Sequence, residues 1–357
     1  MEQQTKLEQH TPLLLTLASL VVVIAGLKVA APLIAQFLMA LFIAVVSTPS
    51  IRWMESKRIP RMLAIVIVLI AILLFVTLIV FLVGDSVQDF SQNKEVYAAK
   101  FQSQVNALTT WLINLGVPAQ GLELGEIVKK LDLMALVSRV LGGLGVIFSD
   151  FFVIFLSVIF ILSEITSFPS KFAKAFSDSQ EKMVHVNHIL GKIRHYLAIK
   201  TAASLLTGFL VSIAMVIIGV DYPFLWGMLA FLLNYIPNIG SIIAALPAVM
   251  LALVQLGPVA VLWTAISFFA VNNLVGNYLE PRFMGKMLGL SAFVVFLSLI
   301  FWGWIFGSVG MFLSVPLTMT IKIALETNAK TRWLAIMLGP EVEEESAAEN
   351  EEPTGLV

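Results

Sequence analysis

Two stretches of this sequence set amide and carboxylate side chains among apolar residues at spacings that suit solute recognition. In the first, Asn234, Tyr235, Ile236, Pro237, Asn238, Ile239, Gly240 and Ser241 interrupt an apolar block. Pro237 has no N–H and frees a carbonyl one turn earlier, while Gly240 permits close backbone approach. Asn234 and Asn238, four residues apart, present donors and acceptors on one helical face. Backbone groups freed at a broken helix in a bilayer must be satisfied by protein, water or a ligand. A neutral, hydroxyl-rich solute fits that set of partners. The second cluster holds Asn272, Asn273, Gly276, Asn277, Glu280, Pro281 and Arg282. Helical spacing puts Asn273, Asn277 and Glu280 on one face with Asn272 beside them. The plainer reading of the asparagines is interhelical hydrogen bonding that holds neighbouring helices together. For Glu280, Pro281 and Arg282 the plainer reading is a capped helix end with a local ion pair.

Other candidates carry less. Asp150 could serve as a proton or cation site, since ionisable groups inside membranes are functional by default, or could sit at the interface. Glu280 is the other candidate for ion coupling. His185 and His188, with Glu181 one turn back, have nominal metal-ligand spacing, but a solvated cytoplasmic face is the better reading, and no metal or cofactor is expected. Gly303 and Gly307 fit a helix-packing pattern of small residues. There is no Gly-x-Ser-x-Gly, paired intramembrane aspartate, His-Glu-x-x-His or Walker A loop, so neither an intramembrane protease nor an ATP-driven pump is indicated. The chain is not expected to be an enzyme. The absence of cysteine excludes disulfides and thiolate chemistry.

These clusters sit in a chain that is 59% hydrophobic and 13% charged. No Asp, Glu, Lys or Arg occurs in 9–27, 29–51, 62–84, 151–163, 201–220, 222–279 or 287–321. About 20 apolar residues cross a bilayer as helix, so most of these stretches span once and the longest must span or re-enter repeatedly. Alternating short segments, the mark of a β-barrel, are missing. The fold class is an all-α integral membrane protein with about eight membrane segments. The net charge of −1 gives no reason to expect a nucleic-acid partner.

The chain divides as follows. Residues 1–84 form N-terminal membrane helices, with a helical hairpin expected where Gly26, Leu27, Lys28 and Pro32 break the first apolar block. Residues 85–140 form an extracytoplasmic helical arm, striped by Phe101, Val105, Leu108, Leu112 and Leu115 and ended by Gly116, Pro118 and Gly121. A span at 141–165 and an amphipathic cytoplasmic stretch at 166–200 follow. Residues 201–325 form the functional core, and 326–357 an acidic tail expected to be disordered. Basic loops at 49–61, 166–200 and 280–290 share one side, which places both termini in the cytoplasm of a multi-pass inner-membrane protein.

The core reads as two units, each a helix followed by an interrupted apolar block: 201–220 with 224–256, and 258–278 with 291–325. The second block is interrupted at Gly303, Gly307 and Gly310. Each arm of about 16 residues extends about 24 Å, short of a full crossing. That favours two re-entrant hairpins of opposite orientation, an inverted repeat whose interruptions point to a transporter's binding site. Pro247, Pro281, Gly303, Gly307 and Gly310 are the expected hinge and hairpin residues.

The C-terminal run resembles the autoinducer-2 exporter family of bacterial permeases, also called PerM-like. The resemblance rests on Ile193 to Tyr196, Asn234 to Gly240, Ala245 to Ala248, Asn277 to Gly285, Leu288 to Ser291, and Trp302 through Gly310 to Leu317. It covers about 182–325 and implies a cytoplasmic-membrane exporter, best known for a diol-rich furanosyl signal. It also implies a homo-oligomer, for which a pentamer is one assembly consistent with the family. The expected function is export of a small polar signal or metabolite by alternating access with an elevator-like motion. A cation–proton antiporter and a non-transporting receptor or scaffold are the alternatives.

Overall fold

A computed structural model describes residues 18–19, 21–114, 151–164, 171, 179–237, 239–284, 289–327 and 330–340. Asn238, the 115–140 part of the arm, residues 141–150 of the following span with Asp150, and the 341–357 tail lie outside the described residues, as do the side chains of Glu181, His185 and His188. Six described helices are long and apolar enough to cross a membrane, and two shorter apolar helices accompany them.

The first long helix, α1 (Ala31–Ser56), is continuous with helical residues 21–29. The expected hairpin there is corrected. Ala30 N–H donates to Gly26 O at 2.9 Å and Ile34 N–H to Ala30 O at 3.0 Å, so the helix runs through with one kinked residue. Pro32 is tolerated because it falls in the first turn after that kink, where its missing N–H costs little. A single helical path thus puts residue 21 and the 57–61 loop at opposite ends. Lys28, read from sequence as part of the break, instead donates to the carbonyls of Trp304 and Ile305.

Helix α2 (Arg61–Gln92) is almost wholly apolar at first and then carries Asp85 and Asp89 beyond the uncharged run. The arm begins with α3 (Lys94–Asn114). Helix α4 (Phe151–Glu164) packs on α1, and with α2 they form a cluster of Ala40, Ala44, Ile51, Ala64, Val68, Val158 and Leu162. Alanines on the facing surfaces allow close helix approach without a hydrophobic drive from water.

Helix α5 (Ser179–Ile218) fuses the amphipathic stretch with the first core helix. No proline or glycine falls between residues 192 and 207 to end it. Gly219, at φ +86°, then closes α5, with the N–H groups of Gly219 and Val220 both donating to Met215 O at 3.0 Å.

The first interrupted block forms α6 (Pro223–Leu233), a break at 234–239, and α7 (Gly240–Leu256), with α6 packed on α7. Gly257 turns the chain into α8 (Pro258–Asn272), which passes into a π-helical turn (Asn273–Leu279) and the short α9 (Glu280–Met284). The second block, α10 (Ala292–Glu326), is broken at Gly307, whose φ of +65° and ψ of −142° are not helical. Helix α11 (Arg332–Met337) folds back on it, with Ser291 N–H donating to Leu338 O at 3.2 Å.

Both blocks are hairpins, and one feature repeats between them. A Cβ on Gly240 would lie 1.8 Å from Leu233 O, and one on Gly310 would lie 1.8 Å from Trp302 O. Each hairpin closes by laying a glycine of its second arm on a carbonyl from the last turns of its first arm. The hairpins open at opposite ends of α5. The feet of the first lie at Asp221, beside the C-terminus of α5, where Asp221 N–H donates to Gln255 Oε1 at 2.9 Å. Leu290 and Val315 of the second pack on Tyr196 and Leu197 near the start of the membrane-crossing part of α5. Those two levels are about 33 Å apart along the helix, close to the thickness of a hydrocarbon core.

Two expected hinge residues fall elsewhere. Pro247 lies buried within α7, beyond the break. Gly303 lies in the first arm of the second hairpin, where a Cβ would meet Met311 Cγ at 2.8 Å.

Candidate functional site

One face of α5 gathers the polar groups of the core. Tyr196, Lys200, Ser204 and Thr207 follow at successive turns and are all buried. Lys200 donates to both carboxylate oxygens of Glu280, at 2.8 and 2.9 Å. Asn234 Nδ2 donates to Ser204 Oγ at 2.9 Å, and Tyr235 OH donates to Thr201 Oγ1 at 2.8 Å. Closeness of α5 to α6 comes from paired glycines: a Cβ on Gly208 would lie 2.6 Å from Gly227 O, and one on Gly227 would lie 2.4 Å from Gly208 O. The first hairpin is therefore held against α5 at minimal separation.

The two hairpins meet beside this face. The Tyr235 ring stacks on Phe312, with centroids 4.3 Å apart, and Phe42 of α1 closes edge-on against Tyr235 at 5.6 Å and Phe312 at 4.9 Å. Such offset and edge-to-face pairs contribute about 0.5–1.5 kcal/mol each beyond burial. Tyr235 comes from the first break and Phe312 lies five residues past Gly307, so it is the interrupted regions that touch.

The second polar cluster is built differently from the helical face read in the sequence. Residues 273–279 form a π-helical turn, a local widening often found at functional sites. Pro281, which cannot donate to the carbonyl of Asn277, sits just beyond it. Asn277 Nδ2 donates to Asn273 Oδ1 at 2.9 Å, and Asn273 Nδ2 to Phe269 O at 2.8 Å. Asn277 is exposed, Asn272 and Asn273 are half-buried, and Glu280 turns inward to Lys200. Arg282 does not pair locally with Glu280; it is exposed and donates to Tyr278 OH at 3.0 Å. The structure thus joins Asn234 and Glu280 through α5 and leaves Asn277 and Arg282 at the periphery.

Sequence reading missed Lys200, Ser204 and Tyr235 as partners. Lys200 carried a signal, because it is the last charge before the uncharged run 201–220. Among the described residues no group of three His, Cys, Asp or Glu side chains could hold a metal ion.

A third polar cluster, unforeseen from sequence, locks the arm to the first hairpin's feet. Tyr97 OH of α3 donates to Asp221 Oδ2 at 2.8 Å and lies 3.1 Å from Tyr222 OH, while Tyr222 OH donates to an Asp89 carboxylate oxygen of α2. Tyr222 has φ +59°, an unfavourable region for an aromatic residue, held by these bonds. Burial first, and then the Asp221 carboxylate that accepts its hydrogen bond, push the Tyr97 hydroxyl up to about 12. The Tyr222 hydroxyl is pushed up as well, by burial and by its bonds to Asp89 and Tyr97.

The profile of the AI-2E family transporters matches residues 17–330. A putative transport protein of Haemophilus influenzae is 41% identical, over 94% of this chain and 98% of that protein. The AI-2 transport protein TqsA of Escherichia coli is 37% identical, over 91% of this chain and 95% of that protein. The putative transport protein YhhT of Escherichia coli is 37% identical, over 92% of this chain and 94% of that protein. A match spanning the membrane helices, both hairpins and the polar face of α5 settles the kind of protein this is: the chain belongs to the AI-2E family and is a membrane transporter.

Proposed function

We propose that this transporter exports a small, polar, uncharged signal or metabolite of the autoinducer-2 kind across the cytoplasmic membrane. The carrying observation is the meeting of the two interrupted regions at Tyr235 and Phe312, beside Asn234, Ser204 and the Lys200–Glu280 pair. Amide and hydroxyl groups there match a diol's donors and acceptors. Asn234, Pro237, Asn238 and Gly240 take the solute from the first hairpin, and Asn272 and Asn273 from the π-helical side, with Asn277 bracing Asn273. The similarity to TqsA, named for AI-2 transport, supports that solute class.

Alternating access in an elevator-like manner is part of the proposal. It is supported by the opposite placement of the two hairpins, one opening beside the C-terminus of α5 and the other packed near the start of its membrane-crossing part. The basic loop at 57–61 and the start of α5 are placed in the cytoplasm, the arm outside, and the assembly is a homo-oligomer in the lipid bilayer. Glu280, neutralised by Lys200, does not offer the free carboxylate that a cation–proton antiporter needs. Counterflow into proteoliposomes, run with a panel of polar solutes and with imposed sodium or proton gradients, tests the reading. Flux of a diol-rich solute supports it, and cation exchange without solute flux overturns it.

A further inference from the structure

The hydroxyls of Thr207 and Thr264 stand apart from the other buried serine and threonine hydroxyls, each of which has a hydrogen-bond partner. In a membrane helix, serine and threonine ordinarily satisfy themselves on a carbonyl three or four residues back. Among the buried ones, Thr48 does so on Ala44 at 2.8 Å, Ser86 on Leu82 at 2.6 Å, Ser298 on Val295 at 2.8 Å, and Ser314 on Met311 at 2.9 Å. Thr207 and Thr264 are 4% and 0% exposed, and the hydroxyl of neither has a hydrogen-bond partner. A buried polar group left unpaired is costly and calls for a specific reason.

Their positions supply one. Thr207 lies on the polar face of α5, one turn beyond Ser204, which holds Asn234, and two beyond Lys200, which holds Glu280. Thr264 lies on α8, which packs on α5, between Ala260 and Phe268 on the stripe buried against Val211 and Met215 of α5. Both threonines are therefore buried on two helices that pack together, beyond Ser204 toward the α5 C-terminus. We infer that Thr207 and Thr264 are solute-binding residues, forming a hydroxyl-lined step between the Asn234 site and the extracytoplasmic end for a neutral polyol. This rests on the solute-export reading and adds residues and a direction to it. A solute hydroxyl both donates and accepts, so it can satisfy either threonine without bringing charge into the core.

Isosteric replacement tests the inference. Thr207→Val and Thr264→Val remove the hydroxyl and keep the shape, while Thr207→Ser and Thr264→Ser keep the hydroxyl. Autoinducer-2 efflux from loaded proteoliposomes and the melting temperature are measured on wild type and all four variants. The expected result is wild-type flux, a loss of about fivefold or more in both valine variants, retained flux in the serine variants, and valine melting temperatures unchanged or raised. Wild-type flux in both valine variants overturns the inference and leaves the export reading standing. Valine variants that lose flux only in step with a lowered melting temperature also overturn it, since the hydroxyls are then structural. Absence of wild-type flux overturns the export reading itself.

Discussion

Lys200 and Glu280 form a two-pronged ion pair inside the helical core, with side chains only 7% and 13% exposed. They come from α5 and from the residue that follows the π-helical turn, 80 positions apart in sequence. Removing one member of such a pair leaves an uncompensated charge in a low-dielectric setting, which typically costs about 3–5 kcal/mol, whereas removing both can be nearly neutral. Lys200→Met and Glu280→Gln should each lower the melting temperature sharply, and the double variant should recover most of it. Thermal unfolding of the three purified variants checks this; a double variant as unstable as the sum of the singles would mean that the pair is not the stabilising contact.

Gly240 and Gly310 should tolerate no side chain. A methyl at either would overlap a backbone carbonyl, at 1.8 Å, and carbonyl positions do not yield as side chains do. Gly240→Ala and Gly310→Ala should each cost about 1–3 kcal/mol in overpacking and reduce flux. Gly303→Ala, which meets only the side chain of Met311 and no backbone atom, should be milder. Flux per folded molecule, compared across the three, gives the ordering.

The arm should come away when its tyrosine contacts are removed. Tyr222→Phe deletes the bond to Asp89 and the contact with Tyr97, a loss of about 1–3 kcal/mol of docking. Because burial raises the Tyr97 hydroxyl to about 12, the docked state holds the proton more tightly than the released one. Docking is then fully present below about pH 10, the ordinary tyrosine value, and is lost as the pH rises through about 12. The native chain has no cysteine, so a cysteine at Gln104, which lies against Gly257, reports release by its rate of thiol labelling.

Single cysteines also test the sidedness. Positions Arg58 and Lys192 should label only from the cytoplasm and Lys100 only from outside. Labelling of position 192 from outside would invert the arrangement.

The class of fold was readable from charge-free runs, because a bilayer's thickness imposes segment length directly. Both hairpins were readable too, from Pro237, Gly240, Gly307 and Gly310, since these residue types carry backbone consequences. What failed was the reading of the same residue types where context offset them. Pro32 and Pro247 lie within continuous helical paths, and Gly26 and Lys28 mark no reversal. Partnerships across the fold were not readable. Nothing local tells Glu280 to choose Lys200 over Arg282, or Tyr222 to reach Asp89, because those choices depend on how distant helices pack. The π-helical turn at 273–279 was likewise hidden, and it altered which asparagines share a face with Glu280.

The most direct measurement is autoinducer-2 binding to purified wild type and Asn234→Ala, with the melting temperature taken on the same samples. Asn234 bonds Ser204 at the point where the interrupted hairpins meet, and its loss should leave a desolvated solute group unpaired. A penalty of about 1–3 kcal/mol corresponds to an affinity roughly five- to hundredfold weaker, with little change in melting temperature. Wild-type affinity in an Asn234→Ala protein that melts early would overturn this reading, and would make the asparagine a structural tie between α5 and the first hairpin.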